Sequence, residues 1–227
     1  ALSLAGLTAA QAQTRTKTKK VIFVMTDGLR WQEVFQGADA ALMNKENGAV
    51  TDVEGLKKEY WRDTPAERRK TLMPFLWSVI AAQGQIYGNR EAGSEAYVTN
   101  GMNFSYPGYN EIFAGFPDPK VDSNDKKYNA NVSVLEWLHA KPAYKGKIAA
   151  FGAWDTFPWI LNAPRAGFPV NAGFDAFPLS PMTPKIEMLN QLKAEAPRDV
   201  AGECDDIYPF HTALEYWHVK KPAVLYL

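Results

Sequence analysis

Apolar residues fall in short blocks along the chain, separated by polar, Pro-rich and Gly-rich stretches. Residues 20–26 (KVIFVMT) form a continuous apolar run of strand length. The run does not alternate, which predicts a strand buried on both faces, as in a parallel sheet. It ends at Asp27-Gly28, a break from strand to loop. Residues 39–66 are polar and irregular and predict a surface excursion. Residues 69–83 (RKTLMPFLWSVIAAQ) carry apolar side chains at helical spacing and stop at Gly84. Residues 85–89 and 96–100 are short strand candidates. Residues 131–140 (NVSVLEWLHA) predict a helix capped by Asn131 and ending before Pro142. A second buried strand is expected over 147–153, amphipathic helices over 184–194 and 209–219, and a last buried strand over 223–227.

Strand, helix, strand, helix in this order predicts an α/β protein: an open, mostly parallel β-sheet with helices on both faces. In such sheets ligands bind beyond the carboxyl ends of the strands. That rule directs attention to Asp27, to the loop over 100–108 and to the Trp154-Asp155 corner.

Composition narrows the function classes. The 227 residues are 46% hydrophobic and 22% charged, an ordinary globular balance. Lys plus Arg is 25 and Asp plus Glu is 25, so no net field is present to hold nucleic acid. Cys204 is the single cysteine, which rules out an intrachain disulfide and reads as an inert thiol. His139, His211 and His218 have no Glu at metalloprotease spacing and read as structural or surface residues. The opening ALSLAGLTAAQAQ is rich in small apolar residues, and Ala10-Gln11-Ala12 fits a signal-peptidase site. Residues 1–19 therefore read as a residual signal peptide and linker, and the protein as exported, periplasmic or secreted. No segment is long and apolar enough to span a membrane.

Two motifs carry chemistry. Asp27 follows the first buried run, where a carboxylate suits a divalent cation, and Gly28 allows a sharp turn beside it. Ser105 lies in the Pro/Gly turn of NFSYPGYNEIFAG, ahead of a short helical pattern that ends at Gly115. A hydroxyl at a helix start is close to free N–H groups and the positive dipole end, which favour an anion and an alkoxide. A free serine hydroxyl still needs a base or a metal to act as a nucleophile. Without such help Ser105 is an ordinary turn residue and N-cap.

Together, VIFVMTDGLRW and NFSYPGYNEIFAGFPDP resemble the N-terminal half of the alkaline phosphatase superfamily, in its type I phosphodiesterase and nucleotide pyrophosphatase branch. The resemblance covers most of residues 20–119. It implies an alkaline phosphatase-like fold over 20–227 and a metal-dependent phosphoester hydrolase or phosphoryl transferase. It also implies two divalent cations, zinc with manganese or magnesium as alternatives, and a small phosphoester substrate. Asp27 and Ser105 would ligate one cation, and Ser105 would attack phosphorus to form a phospho-enzyme. The family's remaining Asp and His ligands have no matching motif here. The chain is therefore expected to continue past Leu227 and to be inactive as these 227 residues alone. Sulfatases require Arg where Tyr109 stands, so sulfatase chemistry is not expected. After the nucleophile helix, Asn129 or Asn131 matches the family's phosphate-oxygen donor. The rival expectation is a non-catalytic exported binding module of the same fold.

Overall fold

The structure is a computed structural model that describes residues 18–198 and 202–227. The leader read over 1–19 falls almost wholly outside the described residues. Among the described residues there are four strands: β1 (Val21–Phe23), β2 (Ile148–Gly152), β3 (Val170–Ala172) and β4 (Val224–Tyr226). The helices are α1 (Trp31–Gln36), α2 (Lys45–Gly48), α3 (Val53–Tyr60), α4 (Pro65–Leu72), α5 (Ala81–Gln83), α6 (Ser105–Ala114), α7 (Val134–His139), α8 (Phe157–Ile160), α9 (Ala163–Ala166), α10 (Pro184–Glu195) and α11 (Ile207–Lys220). The described residues form two compact units, one of 18–24 together with those from Asp125 to Leu227, the other Met25–Asn124.

The first unit holds the sheet. Its order is β1-β4-β2-β3, and every pairing is parallel. The α/β class with an open parallel sheet is therefore as expected. Strand alternation divides the side chains between two faces. Ala149, Phe151 and Leu225 meet Ile186 and Leu189 of α10 and Ala213 and Tyr216 of α11 in one buried cluster. Phe151 lies 5.2 Å from the Phe177 ring and 5.5 Å from Tyr216. On the opposite face Tyr226 meets Phe157 of α8 at 5.3 Å. A Cβ on Gly152 would lie 2.4 Å from the Phe157 ring, so only glycine lets α8 settle here. Each large apolar side chain buried in this way contributes about 1.5–3 kcal/mol.

Helix α10 starts with Thr183 accepting from the Ile186 N–H and Pro184 in its first turn. Its inner face carries Lys193, which is 1% exposed. The Lys193 ammonium donates to Asn171 Oδ1 at 3.0 Å and to the Asp175 carbonyl at 3.1 Å, so this buried polar group is satisfied. Burial pushes the Lys193 pKa down.

Two expectations for this unit are corrected. The first strand is shorter than the apolar run and is not buried: Val21 is 47% exposed, Ile22 54% and Val24 60%. Among the described residues β1 pairs only with β4, so it is an edge strand, and a continuous apolar run cannot reveal whether both neighbours are present. Helix α7 is capped by Ser133, not Asn131. The Ser133 hydroxyl accepts from the Glu136 N–H while the Glu136 carboxylate accepts from the Ser133 N–H, and this capping box sets the start two residues later than expected.

The second unit is built of short helices tied by polar contacts. Phe35 of α1 is buried, 5.9 Å from the Trp77 ring. Three donors reach the last carbonyls of α1. Trp77 Nε1 donates to Val34 at 2.9 Å, Arg69 to Phe35 at 3.1 Å and Arg68 to Gln36 at 3.3 Å. They satisfy acceptors that a helix end leaves open and place cations at its negative pole. The Arg69 guanidinium also stacks 3.9 Å over Trp77.

Sequence and structure differ more here. The excursion over 39–66 contains α2, α3 and the start of α4. The single helix expected over 69–83 is three pieces. A capping box of Thr64 and Glu67 starts α4 at Pro65, and α4 ends before Met73. Pro74, which has no N–H, follows, and a π-helical turn over Leu76–Ile80 leads into α5. The strands expected over 85–89 and 96–100 are absent. Both stretches are loop, with a 3-10 turn over Arg90–Ala92 between them.

Candidate active site

Asp27 lies four residues beyond β1, in the exposed turn before α1 rather than at the strand's last position. Gly28 takes a φ of 70°, the left-handed conformation that the turn requires. Arg30 donates to Glu33 through Nε at 2.9 Å and reaches Asp39 at 3.3 Å, so its guanidinium serves the start of α1. The hydrogen bond from Arg30 holds the Glu33 carboxyl below its ordinary pKa.

Ser105 is the first residue of α6, and Phe104 occupies the cap position without a side-chain bond. The expectation that Ser105 could act as an N-cap is thus corrected. Asn124 supplies the cap instead: its Oδ1 accepts from the Tyr106 N–H at 3.0 Å. Pro107 has no N–H to lose. The backbone N–H groups of Phe104 and Ser105 and the Ser105 hydroxyl have no hydrogen-bond partner among the described residues. A half-buried hydroxyl at the positive end of a ten-residue helix, beside two open donors, is an arrangement suited to an anion.

The approach to Ser105 is held by Glu111. Its carboxylate accepts from Thr99 through N and Oγ1, both at 2.7 Å, and from Asn100 through N at 3.0 Å and Nδ2 at 2.9 Å. Led by the Thr99 hydroxyl bond, these contacts keep the Glu111 carboxyl below its ordinary pKa. The same helix buries Tyr106, Tyr109 and Phe113, and Tyr109 and Phe113 stack at 6.4 Å.

The two motif residues are linked through Tyr109. Its hydroxyl points to Asp27 Oδ2 at 3.5 Å, the outer limit of a hydrogen bond. Residues 105 and 109 are one turn apart on one face of α6. Asp27 therefore lies against the helix face that begins with Ser105.

The oxygens of Asp27 and Ser105 are of the kind a divalent cation takes. They are two donors, fewer than the three protein ligands of a catalytic zinc. No cluster of three or more His, Cys, Asp or Glu residues able to hold a metal occurs among the described residues. The donor set described here does not by itself make a metal site.

The remaining candidates make the following contacts. Asn129 Oδ1 accepts from the Asn131 N–H, and the Asn131 carbonyl accepts from Arg165. Asp155 pairs with Lys126 at 2.7 Å. Its side chain is packed so tightly that a Cβ on Gly202 would lie 2.3 Å from the carboxylate. Cys204 is buried, and burial pushes its thiol pKa up to about 11, so it is a protonated core residue at neutral pH. His139 packs against Phe168 at 5.7 Å, and His211 against Phe210 at 5.1 Å. Asn124 and Tyr109 were missed by sequence reasoning. One is a lone Asn in a polar loop and the other an aromatic at core spacing, so only the fold shows their proximity to the motif residues.

No family model, no curated protein and no solved structure matches the chain. The superfamily resemblance thus rests on the two motifs alone.

Proposed function

We propose that this protein is a metal-dependent phosphoester hydrolase or phosphoryl transferase, exported from the cytoplasm, in which Ser105 is the nucleophile. The observation that carries this reading is the Tyr109–Asp27 contact, because it sets the Asp27 carboxylate beside the face of α6 that begins with Ser105.

The open N–H groups of Phe104 and Ser105 and the helix dipole receive the phosphoryl oxygens. Ser105 Oγ forms the new bond to phosphorus, the ester P–O bond breaks, and the departing alcohol takes up the hydroxyl proton. Water then cleaves the phosphoserine and regenerates the hydroxyl. Two divalent cations, zinc or alternatively manganese or magnesium, belong to the proposal and when bound would supply Lewis acidity. Asp27 and Ser105 would give one of them two oxygen donors.

Turnover of an aryl phosphomonoester and a phosphodiester by the intact protein tests this reading. Ser105→Ala should abolish most turnover while changing stability by no more than about 0.5 kcal/mol, because the hydroxyl caps nothing and makes no hydrogen bond among the described residues. Ser105→Thr should retain part of it, since the same hydroxyl chemistry remains. Near-normal turnover in Ser105→Ala would reduce Ser105 to a helix-start residue and leave a binding module in place of an enzyme.

A further inference from the structure

We infer that Tyr109 is a positioning residue for Asp27: its phenol, one turn beyond Ser105 on α6, holds the carboxylate toward the serine. The inference rests on the phosphoester reading.

Asp27 is exposed and opens the turn that Gly28 completes, so no regular element holds its backbone. Tyr109 is the opposite. It is 6% exposed, sits mid-helix and stacks on Phe113 with ring planes 18° apart. Of the hydrogen-bonded groups that reach Asp27, the Tyr109 hydroxyl is the one described, at 3.5 Å. A donor locked by packing against an acceptor on a turn is the arrangement that orients a functional carboxylate. The four-bond clamp of Glu111 on Thr99 and Asn100 ties the preceding loop to the other side of α6.

The test separates orientation from packing. Tyr109→Phe keeps the ring and its stacking and deletes only the hydroxyl. The intact protein should then lose kcat, by up to about 100-fold as for a misplaced site group, with KM and melting temperature nearly unchanged. Asp27→Asn combined with Tyr109→Phe should lose no more than Asp27→Asn alone, because the hydroxyl acts through that carboxylate. A second readout is independent of turnover. With 3-fluorotyrosine incorporated, the fluorine resonance that disappears in Tyr109→Phe should shift in Asp27→Asn. Full kcat in Tyr109→Phe, or an unmoved resonance, overturns the positioning role. Full turnover in Ser105→Ala overturns the phosphoester reading instead, and the two failures are distinct.

Discussion

The two units of this protein are held together by different physics. The sheet unit has an apolar core in which the Phe177 ring meets Phe151 and Tyr216 edge to face, and Phe151 meets Tyr216 at a tilt, around a fully buried β2. The unit over Met25–Asn124 relies on directed contacts: side-chain donors on the last carbonyls of α1, a capping box on α4, a carboxylate clamp on α6 and a distant cap from Asn124. The candidate nucleophile lies in the second kind of structure. A site that must leave polar groups open to a ligand has less apolar surface to bury, and hydrogen bonds supply the geometry that packing supplies elsewhere.

The strongest way to break this comparison is to damage the apolar unit. Phe151→Ala should cost about 3–5 kcal/mol, the usual loss for a buried aromatic. Chemical denaturation monitored by circular dichroism would read it. A loss under about 1 kcal/mol would mean that the sheet unit is not organised around this cluster.

An intermediate effect is expected where the sheet unit itself uses charge. Glu136 is buried, and burial alone would raise its pKa. The Arg165 guanidinium, at 2.6 Å, and the Ser133 N–H outweigh burial and bring it below the ordinary value. The folded pKa is thus lower than the unfolded one, near 4.3. The pair's stabilisation is therefore fully present above about pH 4.3 and is lost as pH falls through the folded value. Arg165→Met should cost about 1.5–3 kcal/mol at neutral pH, as for hydrogen bonds to a charged group. It should also flatten the acid limb of melting temperature against pH. An unchanged acid limb would show that Glu136 does not set it.

The smallest global effect, and the most local, is expected at Glu111. Glu111→Gln removes the charge from the clamp on Thr99 and Asn100. Amide hydrogen exchange at those two residues should speed up, while the sheet strands keep their protection. Equal acceleration in β2 would mean that the clamp supports the whole fold rather than the approach to Ser105.

This contrast also explains what could be read from the residues. Strands β2 and β4 and helices α10 and α11 were legible because burial imposes periodicity, and the runs over 147–153, 184–194 and 223–227 match them closely. Strand β3 was missed because Val-Asn-Ala is too short and too polar to stand out. In the other unit, order comes from Arg68, Arg69, Trp77 and Glu111 acting on backbone atoms far along the chain, and such contacts leave no period. The motif residues stood out individually as candidates. The meeting of Tyr109 with Asp27, and of Asn124 with the start of α6, required the fold.

The contact between Tyr109 and Asp27 joins positions 82 residues apart, whereas the Glu111 clamp spans 11 or 12. Closing a loop costs entropy that rises with the logarithm of its length, so the short clamp forms readily and the long contact must wait for the segments between to order. Ser105 and its approach can therefore take shape early in folding, and Asp27 is the late arrival. Under mild stress the order is expected to reverse, with the aspartate leaving the helix face while the serine is still in place.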